Sequence, residues 1–382
     1  MNDTPLDYAS AGVDTAAGDR AVELMKSAVA ATHDPTVLGA TGGFAGMVDA
    51  SALLGMKRPL LATSTDGVGT KIAIARAMDV HDTIGQDLVG MVVDDIVVIG
   101  ARPLFMTDYI ACGHVVPERI ASIVTGIARA CEATGTPLVG GETAEHPGVM
   151  EADDYDIAGA ATGVVDASAL LGPERVNEGD VVIAMASSGL HSNGYSLVRS
   201  VLARTGAPLE GHVDEFGRTL GEELLEPTRL YTRLCLELVE RFGVEGIHAY
   251  SHVTGGGLGA NLSRVLPVSA VATVDRSSWT VPPVFDWVRR GGDVTWAGME
   301  DSLNLGVGMV AVVSAAVASE VAGAINEAGV DAWTLGCVAS RMPDGEIVGC
   351  GGAGGAEGAR LILGTKGVKA GAVLLHGSYR VG

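Results

Sequence analysis

The sequence predicts an α/β (α+β) fold in two domains, and three observations carry that expectation. Strand-like and helix-like segments alternate along the chain. The length of 382 residues suits two cores of ordinary size better than one. Between the halves, residues 167–180 (ASALLGPERVNEGD) show no clear periodicity and read as a connector. An N-terminal domain with a mixed sheet is therefore expected over residues 1–170. A C-terminal α/β domain is expected over 171–350, and a Gly-rich tail over 351–382.

Taken in order, residues 60–65 read as a strand ending in Asp-Gly. Residues 83–99 read as a helix, because Ile84, Leu88, Met91, Val92 and Ile99 fall on one stripe at 100° per residue. Asp95 is expected inside that stripe, with Asp87 and Asp94 on its polar flank. Residues 104–112 form the next strand, and Pro117 opens a helix carrying Ile120, Ile123, Val124, Ile127 and Cys131 on one face. Residues 136–139 run as a strand into Gly140-Gly141-Glu142, and residues 155–165 give another. The second half restarts with a strand at 181–186, a Ser-Ser-Gly turn and a helix from about Tyr195. Residues 224–242 read as one long helix and 247–253 as a strand, with further alternation to about Val348. Residues 351–366 read as a flexible tail.

Composition excludes several classes. An apolar content of 47% excludes disorder, and no G-X-Y period organises the 54 glycines. With 25 Lys and Arg against 46 Asp and Glu, the net charge is −21, a surface that repels a nucleic-acid backbone. A small phosphate ligand then needs backbone N–H groups, a few lysines or a metal ion. Cys112, Cys131, Cys235, Cys337 and Cys350 are scattered and form no CxxC pair, which predicts reduced thiols in a cytoplasm. The first residues lack a basic-then-apolar leader, and the apolar run 88–99 is broken by Asp94 and Asp95, so no membrane span is expected.

Chemistry concentrates in the loops. Thr65-Asp66-Gly67-Val68-Gly69-Thr70-Lys71 places a carboxylate, two glycines and a lysine together after a strand. That set suits a nucleotide phosphate with Mg²⁺, although an ordinary Asp-Gly turn reads the same way. A carboxylate on a buried helix face needs a partner or a metal, which makes Asp95 a metal candidate. Glu142 follows another apolar strand, so Asp66, Asp94, Asp95 and Glu142 form a candidate acidic set for Mg²⁺. The cluster Gly39 to Gly46, with Gly42 and Gly43, reads either as a nucleotide-covering loop or as a plain linker.

In the second half, Ser188, Gly189, His191, Asn193 and Gly194 lie between a strand and a helix, as an anion site or a capped turn. Thr254, Gly255, Gly256 and Gly257 follow the next strand and form a second candidate anion seat. Gly255-x-Gly257-x-x-Ala260, with Asp275 twenty residues after Gly255, also matches a dinucleotide fingerprint, which keeps a nicotinamide-dependent oxidoreductase as an alternative.

The blocks DYASAGVD, TDGVGTK, HDTIGQDLVGMVVDDIV, ARPLFMTDYIACG, LVGGETAEHPG, SSGLHSNGYSLVR and HVTGGGLGANLSRVLP occur in one order over residues 7–340. In this the chain resembles the phosphoribosylformylglycinamidine cyclo-ligase (AIR synthetase) family of purine biosynthesis. Two positions depart from the family pattern: Asp94 stands where Asn is common, and His146 where Met is common. The resemblance implies a cytoplasmic homodimer whose N-terminal sheets pair into a barrel, with ATP bound near that interface and a second domain closing over the substrate. It implies ATP-dependent ring closure of formylglycinamidine ribonucleotide to aminoimidazole ribonucleotide. On that reading Asp66, Asp95 and Glu142 hold Mg²⁺, and Lys71 and Lys26 lie near the nucleotide. The loops at 188–194 and 254–257 then hold the ribose phosphate, and His191 and His252 are candidates for moving protons. Thiamine-monophosphate kinase and selenophosphate synthetase types share the metal–ATP half and remain the alternatives within the superfamily. The second-half blocks favour the cyclo-ligase.

Overall fold

The computed structural model describes residues 14–39, 43–342, 345–349, 358–364 and 370–382. Two compact units divide it. Unit 1 comprises the chain up to Ile96 together with Pro103–Val164, and unit 2 comprises Val97–Arg102 with Val165–Gly382.

Unit 1 begins with α1 (Thr15–Ala31), whose first turn is capped by the Asp14 carboxylate accepting from Ala17 N–H at 3.0 Å. The short strands β1 (Val37–Leu38) and β2 (Met47–Val48) pair as a hairpin. Next come β3 (Pro59–Gly67), α2 (Ile72–Met78), α3 (Thr83–Val97), β4 (Arg102–Cys112), α4 (Pro117–Thr134), β5 (Leu138–Glu145) and β6 (Tyr155–Asp166). The sheet runs β3-β6-β4-β5, with β4 and β5 parallel. Met106 and Leu88 both press on Gly159 of β6, so α3 covers this face of the sheet. Helices α3 and α4 cross so closely that a Cβ on Gly85 would overlap the backbone of Gly126 and Ile127. Helix α1 packs on α4. Leu61 on β3 and Tyr109 on β4 stay exposed, and among the described residues no barrel closes.

Helix α3 corrects one expectation. Every residue from Ile84 to Val97 is buried except Gln86 and Asp95. The helix is covered nearly all round, as an apolar circumference dictates, and a single stripe was the wrong pattern for it. Asp87 and Asp94 are fully buried, and Asp95 faces outward.

Unit 2 contains β7 (Val181–Ala186), α5 (Tyr195–Thr205), the hairpin β8 (His212–Val213) and β9 (Arg218–Thr219), α6 (Leu220–Leu224), α7 (Thr232–Phe242), β10 (Ile247–His252) and α8 (Gly257–Leu262). It continues with β11 (Ala270–Asp275), β12 (Thr280–Val281), α9 (Pro283–Gly292), α10 (Trp296–Glu300), β13 (Val307–Val313), α11 (Ala318–Glu327) and β14 (Ala332–Arg341). The last strands are β15 (Ile347–Val348), β16 (Arg360–Leu363), β17 (Ala372–His376) and β18 (Arg380–Val381). The main sheet is ordered β10-β13-β7-β14-β11-β17-β16, with β15 on β14. Its pairs are antiparallel except β11 with β17. Ile183, Met185, Tyr250 and Met309 meet Leu238 of α7 and Val321 of α11 in one core.

Three further expectations change here. The helix expected over 224–242 begins only at Thr232, after α6 has ended at Leu224, because Pro227 lacks an N–H and displaces its predecessor from helical geometry. Within 351–366, read as a flexible tail, the described residues 358–364 carry the strand β16, and further on β17 and β18 are strands with Ala372 to Leu375 buried. Four consecutive apolar residues outweighed the surrounding glycines. Cys112, Cys131 and Cys235 are free and buried, whereas Cys337 is disulfide-bonded, against the expectation of reduced thiols. Among the described residues no helix is long and apolar enough to cross a membrane.

Candidate active site

In unit 1, β3 delivers Asp66 and Gly67 to a tight turn at Gly69–Lys71 that opens α2. Gly69 has φ +65°, and a Cβ on Gly67 would press within 2.9 Å of the Ile157 carbonyl, so both glycines are demanded by the backbone. Asp66 and Thr70 are exposed, and Asp66 Oδ1 accepts the N–H of Gly67 at 2.8 Å.

Lys71 is placed inside the unit. Its side chain is wholly buried, and Nζ lies 2.9 Å from each oxygen of the equally buried Asp87. The ion pair ties the turn to α3. The sequence pattern put a lysine at the right spacing but could not reveal the acid sixteen residues on.

The carboxylate set is not assembled as expected. Among the described residues, no three His, Cys, Asp or Glu side chains come together in a metal-holding group. Asp94 is buried, while Asp66, Asp95 and Glu142 are exposed. Lys26 projects from α1 with its side chain 60% exposed, 3.7 Å from Glu23. Gly43 is exposed near the tip of the β1–β2 hairpin, and Gly42 lies outside the described residues. Gly46 anchors that hairpin, since a Cβ there would overlap the Val139 carbonyl oxygen on β5.

Asp108 is a residue that sequence reasoning missed. Gly141, in register with it on β5, leaves the space its carboxyl fills. Burial pushes the Asp108 carboxyl up to about 7. The second glycine of LVGGET was the available signal.

In unit 2, the loop from Ser187 to Gly194 joins β7 to α5, and the turn from Val253 to Gly256 joins β10 to α8. The two meet: a Cβ on Gly255 would lie 3.2 Å from Asn193 Oδ1. His191 is buried with φ +60°, and its Nε2 accepts the N–H groups of Ser188 at 3.2 Å and Arg229 at 3.4 Å. Those two bonds put the ring proton on Nδ1 and engage Nε2 in holding the loop. Gly308 of β13 makes room for it, since a Cβ there would overlap Tyr231 Oη and crowd His191.

The Ser188 hydroxyl donates to the Pro227 carbonyl at 2.6 Å. His252 is buried at the end of β10, opposite Met309. Gly189 and Gly256 are in positive φ at 159° and 100°, and Gly194, at 79°, packs on Leu303. Thr254 is braced by Asn261, whose Nδ2 donates to the Thr254 carbonyl at 3.1 Å and the Gly257 carbonyl at 2.8 Å.

Two more residues were not legible. Asn304 is buried and clamps the first loop: its Nδ2 donates to the Gly189 and Leu190 carbonyls at 2.9 and 3.2 Å, and its Oδ1 accepts from Ser187 Oγ at 3.1 Å. Arg229 has a buried Nε with no hydrogen-bond partner among the described residues. Neither carries a local sequence pattern. The nicotinamide alternative fails on topology and chemistry. Strand β10 is antiparallel to its neighbour, and Asp275 caps its own turn by accepting the N–H and hydroxyl of Ser277, both at 2.8 Å.

This pair of units is that of the AIR synthase related proteins. The N-terminal domain model of that group matches residues 48–165 and the C-terminal domain model matches 177–345. Curated relatives named phosphoribosylformylglycinamidine cyclo-ligase are similar over nearly their full length. That of Lachnospira eligens is 45% identical, covering 87% of this chain and 97% of the relative. That of Geobacillus kaustophilus is 46% identical, covering 87% and 95%. The chain belongs to the phosphoribosylformylglycinamidine cyclo-ligase family. Solved structures share the fold at low identity. A thiamine-monophosphate kinase from Stenotrophomonas maltophilia has a TM-score of 0.62 at 18% identity, covering 84% of this chain and 93% of that one. The hydrogenase maturation protein HypE in complex with ATP has a TM-score of 0.56 at 20% identity, covering 86% and 88%.

Proposed function

We propose that unit 1 holds ATP with Mg²⁺ and unit 2 holds the ribonucleotide for the reaction of this family. That reaction is the ATP-dependent cyclisation of formylglycinamidine ribonucleotide to 5-aminoimidazole ribonucleotide, releasing ADP and phosphate. The observation that carries this reading is similarity to named cyclo-ligases at 45–46% identity over 333 residues, with family models matching both units. ATP phosphorylates the formamide oxygen, a nitrogen of the same molecule attacks the activated carbon, and phosphate leaves as the ring closes. Because closure is intramolecular, holding the two ends in register supplies much of the rate.

Exposed Asp66 and Asp95 suit an ion that takes one or two protein carboxylates and completes its shell with phosphate oxygens and water, and Glu142 is a third candidate. Such an ion neutralises charge that develops during phosphoryl transfer. In unit 2, the backbone of residues 188–194 and 254–257 is the proposed seat of the ribose phosphate. The buried Nε of Arg229, without a hydrogen-bond partner among the described residues, supports an anion there, because a buried donor is rarely left unbonded. His191 and His252 remain the candidates for proton transfer. We further propose a cytoplasmic homodimer that buries the exposed Leu61 and Tyr109 of the unit 1 sheet, and no nucleic-acid partner.

The test is to incubate purified protein with formylglycinamidine ribonucleotide, ATP and Mg²⁺ and to measure aminoimidazole ribonucleotide and ADP. Equal amounts of both support the reading. ADP release that ignores the ribonucleotide, or phosphoryl transfer to thiamine monophosphate or selenide instead, overturns it.

A further inference from the structure

The C-terminal residues 358–382 lie beyond the span matched by the C-terminal domain model, which ends at residue 345. Their described residues, 358–364 and 370–382, are nonetheless built into unit 2. Strand β17 extends the main sheet along β11, and α8 packs on it. From this segment, two routes lead to the turn Thr254–Gly257.

The first passes through Glu300, which is buried at the end of α10. Its carboxylate accepts from Arg276 Nε at 2.6 Å, from Arg360 Nη1 at 3.1 Å and from the Tyr379 hydroxyl at 2.9 Å. Arg360 also binds both oxygens of Asp301 at 2.7 and 2.8 Å. The Tyr379 ring is fixed against Trp296 and Trp279, at centroid distances of 4.7 and 5.5 Å. The backbone carbonyl of the same Glu300 lies where a Cβ on Gly257 would fall, so the two backbones are in direct contact. The second route is apolar. Ile362 of β16 fills the space that a Cβ on Gly259 would take, two residues into α8. A displacement of Glu300 or Ile362 therefore moves the glycine turn, because a close-packed contact has no slack to absorb it.

We propose that the C-terminal segment is a positioning element for the substrate turn: through Arg360, Tyr379 and Ile362 it sets where Thr254–Gly257 stands, and so the affinity for the ribonucleotide phosphate. The proposal rests on the reading that this turn contacts the ribonucleotide. None of the three side chains is part of the proposed binding set; each acts through Glu300 or Gly259.

The experiment uses the full chain, with steady-state kinetics for both substrates. Tyr379→Phe removes one hydroxyl and keeps the ring, and Arg360→Met and Ile362→Ala cut the two routes. Arg360→Lys tests rescue by a retained charge. Asn193→Ala and Thr254→Val probe the loops directly. The expected result is a KM for formylglycinamidine ribonucleotide raised roughly tenfold in Arg360→Met, the factor carried by a hydrogen bond of about 1.4 kcal/mol. Values for ATP and kcat stay within about twofold of wild type, and Arg360→Lys recovers part of the loss. If the loop variants raise this KM and the C-terminal variants only lower the melting temperature, the positioning proposal fails and the loop reading stands. If the loop variants also leave KM unchanged, the loop reading fails with it. Equal rises for both substrates, or a fall in kcat alone, overturn the proposal as well.

Discussion

Replacing Lys71 with methionine separates a structural lysine from a phosphate-binding one. Both members of the Lys71–Asp87 pair are completely buried, with nitrogen–oxygen distances of 2.9 Å. Removing one partner of such a pair costs about 3–5 kcal/mol, because the remaining charge stays desolvated. A domain of 150–250 residues loses about 2–4 °C in Tm per kcal/mol, so Lys71→Met should lower the transition of unit 1 by roughly 6–20 °C. The loss should persist at 1 M NaCl, since salt does not screen a buried pair well. The double variant Lys71→Met, Asp87→Leu should regain most of the stability, because a well-packed apolar pair of similar size replaces a buried ion pair at little cost. Scanning calorimetry of the single and double variants, with KM for ATP measured alongside, decides the matter. An unchanged Tm together with a KM for ATP raised tenfold or more would refute the structural role.

Four other outcomes are expected. The raised Asp108 carboxyl keeps its proton in the folded chain up to about pH 7, while the unfolded chain releases it near pH 4. Stability to urea should therefore fall as pH rises between those values, and Asp108→Asn should flatten that slope; an unchanged slope excludes Asp108 as its source. Asp95→Asn should abolish Mg²⁺-dependent turnover with Tm unchanged, because the side chain is exposed; wild-type rates would remove Asp95 from the metal set. Gly308→Ala should destabilise unit 2 by about 2 kcal/mol or more through overlap with Tyr231 and His191, as read from denaturant midpoints. Arg229→Met should raise KM for the ribonucleotide tenfold or more with little change for ATP, and an unaltered KM would exclude Arg229 from the anion seat.

The parts of the fold that were legible in the sequence had a period to read. Helix α4 alternates apolar and polar faces and starts at a proline, and β4 and β7 are strands bounded by turn residues. What escaped lacked a period or depended on distant partners. Asp95 was misplaced because α3 is covered nearly all round, so one exposed position has no stripe to mark it. The Lys71–Asp87 pair escaped because an Asp-Gly-x-Gly-x-Lys run advertises phosphate, while the acid lies one helix further on. The loops of the candidate site were found from their glycines and hydroxyls, but Asn304 and Arg229, which brace or complete them, are single residues without local context. The apolar run Ala372 to Leu375 of β17 stood out among its glycines, but its pairing with β11, about a hundred residues earlier, has no local signal.

That strand also bears on how the chain reaches its fold. Its partner β11 lies about a hundred residues earlier, so their parallel pairing closes a long stretch of chain and belongs among the later events of folding. Until it forms, β11 presents an unpaired edge that includes buried Val271 and Val274. An apolar edge of this kind templates association with other chains. The native protein closes it with β17 and leaves β16 outermost, where Arg360 supplies charge beside the exposed Leu361 and Leu363. Slow refolding and loss to aggregates at high concentration are therefore built into the order of this sheet.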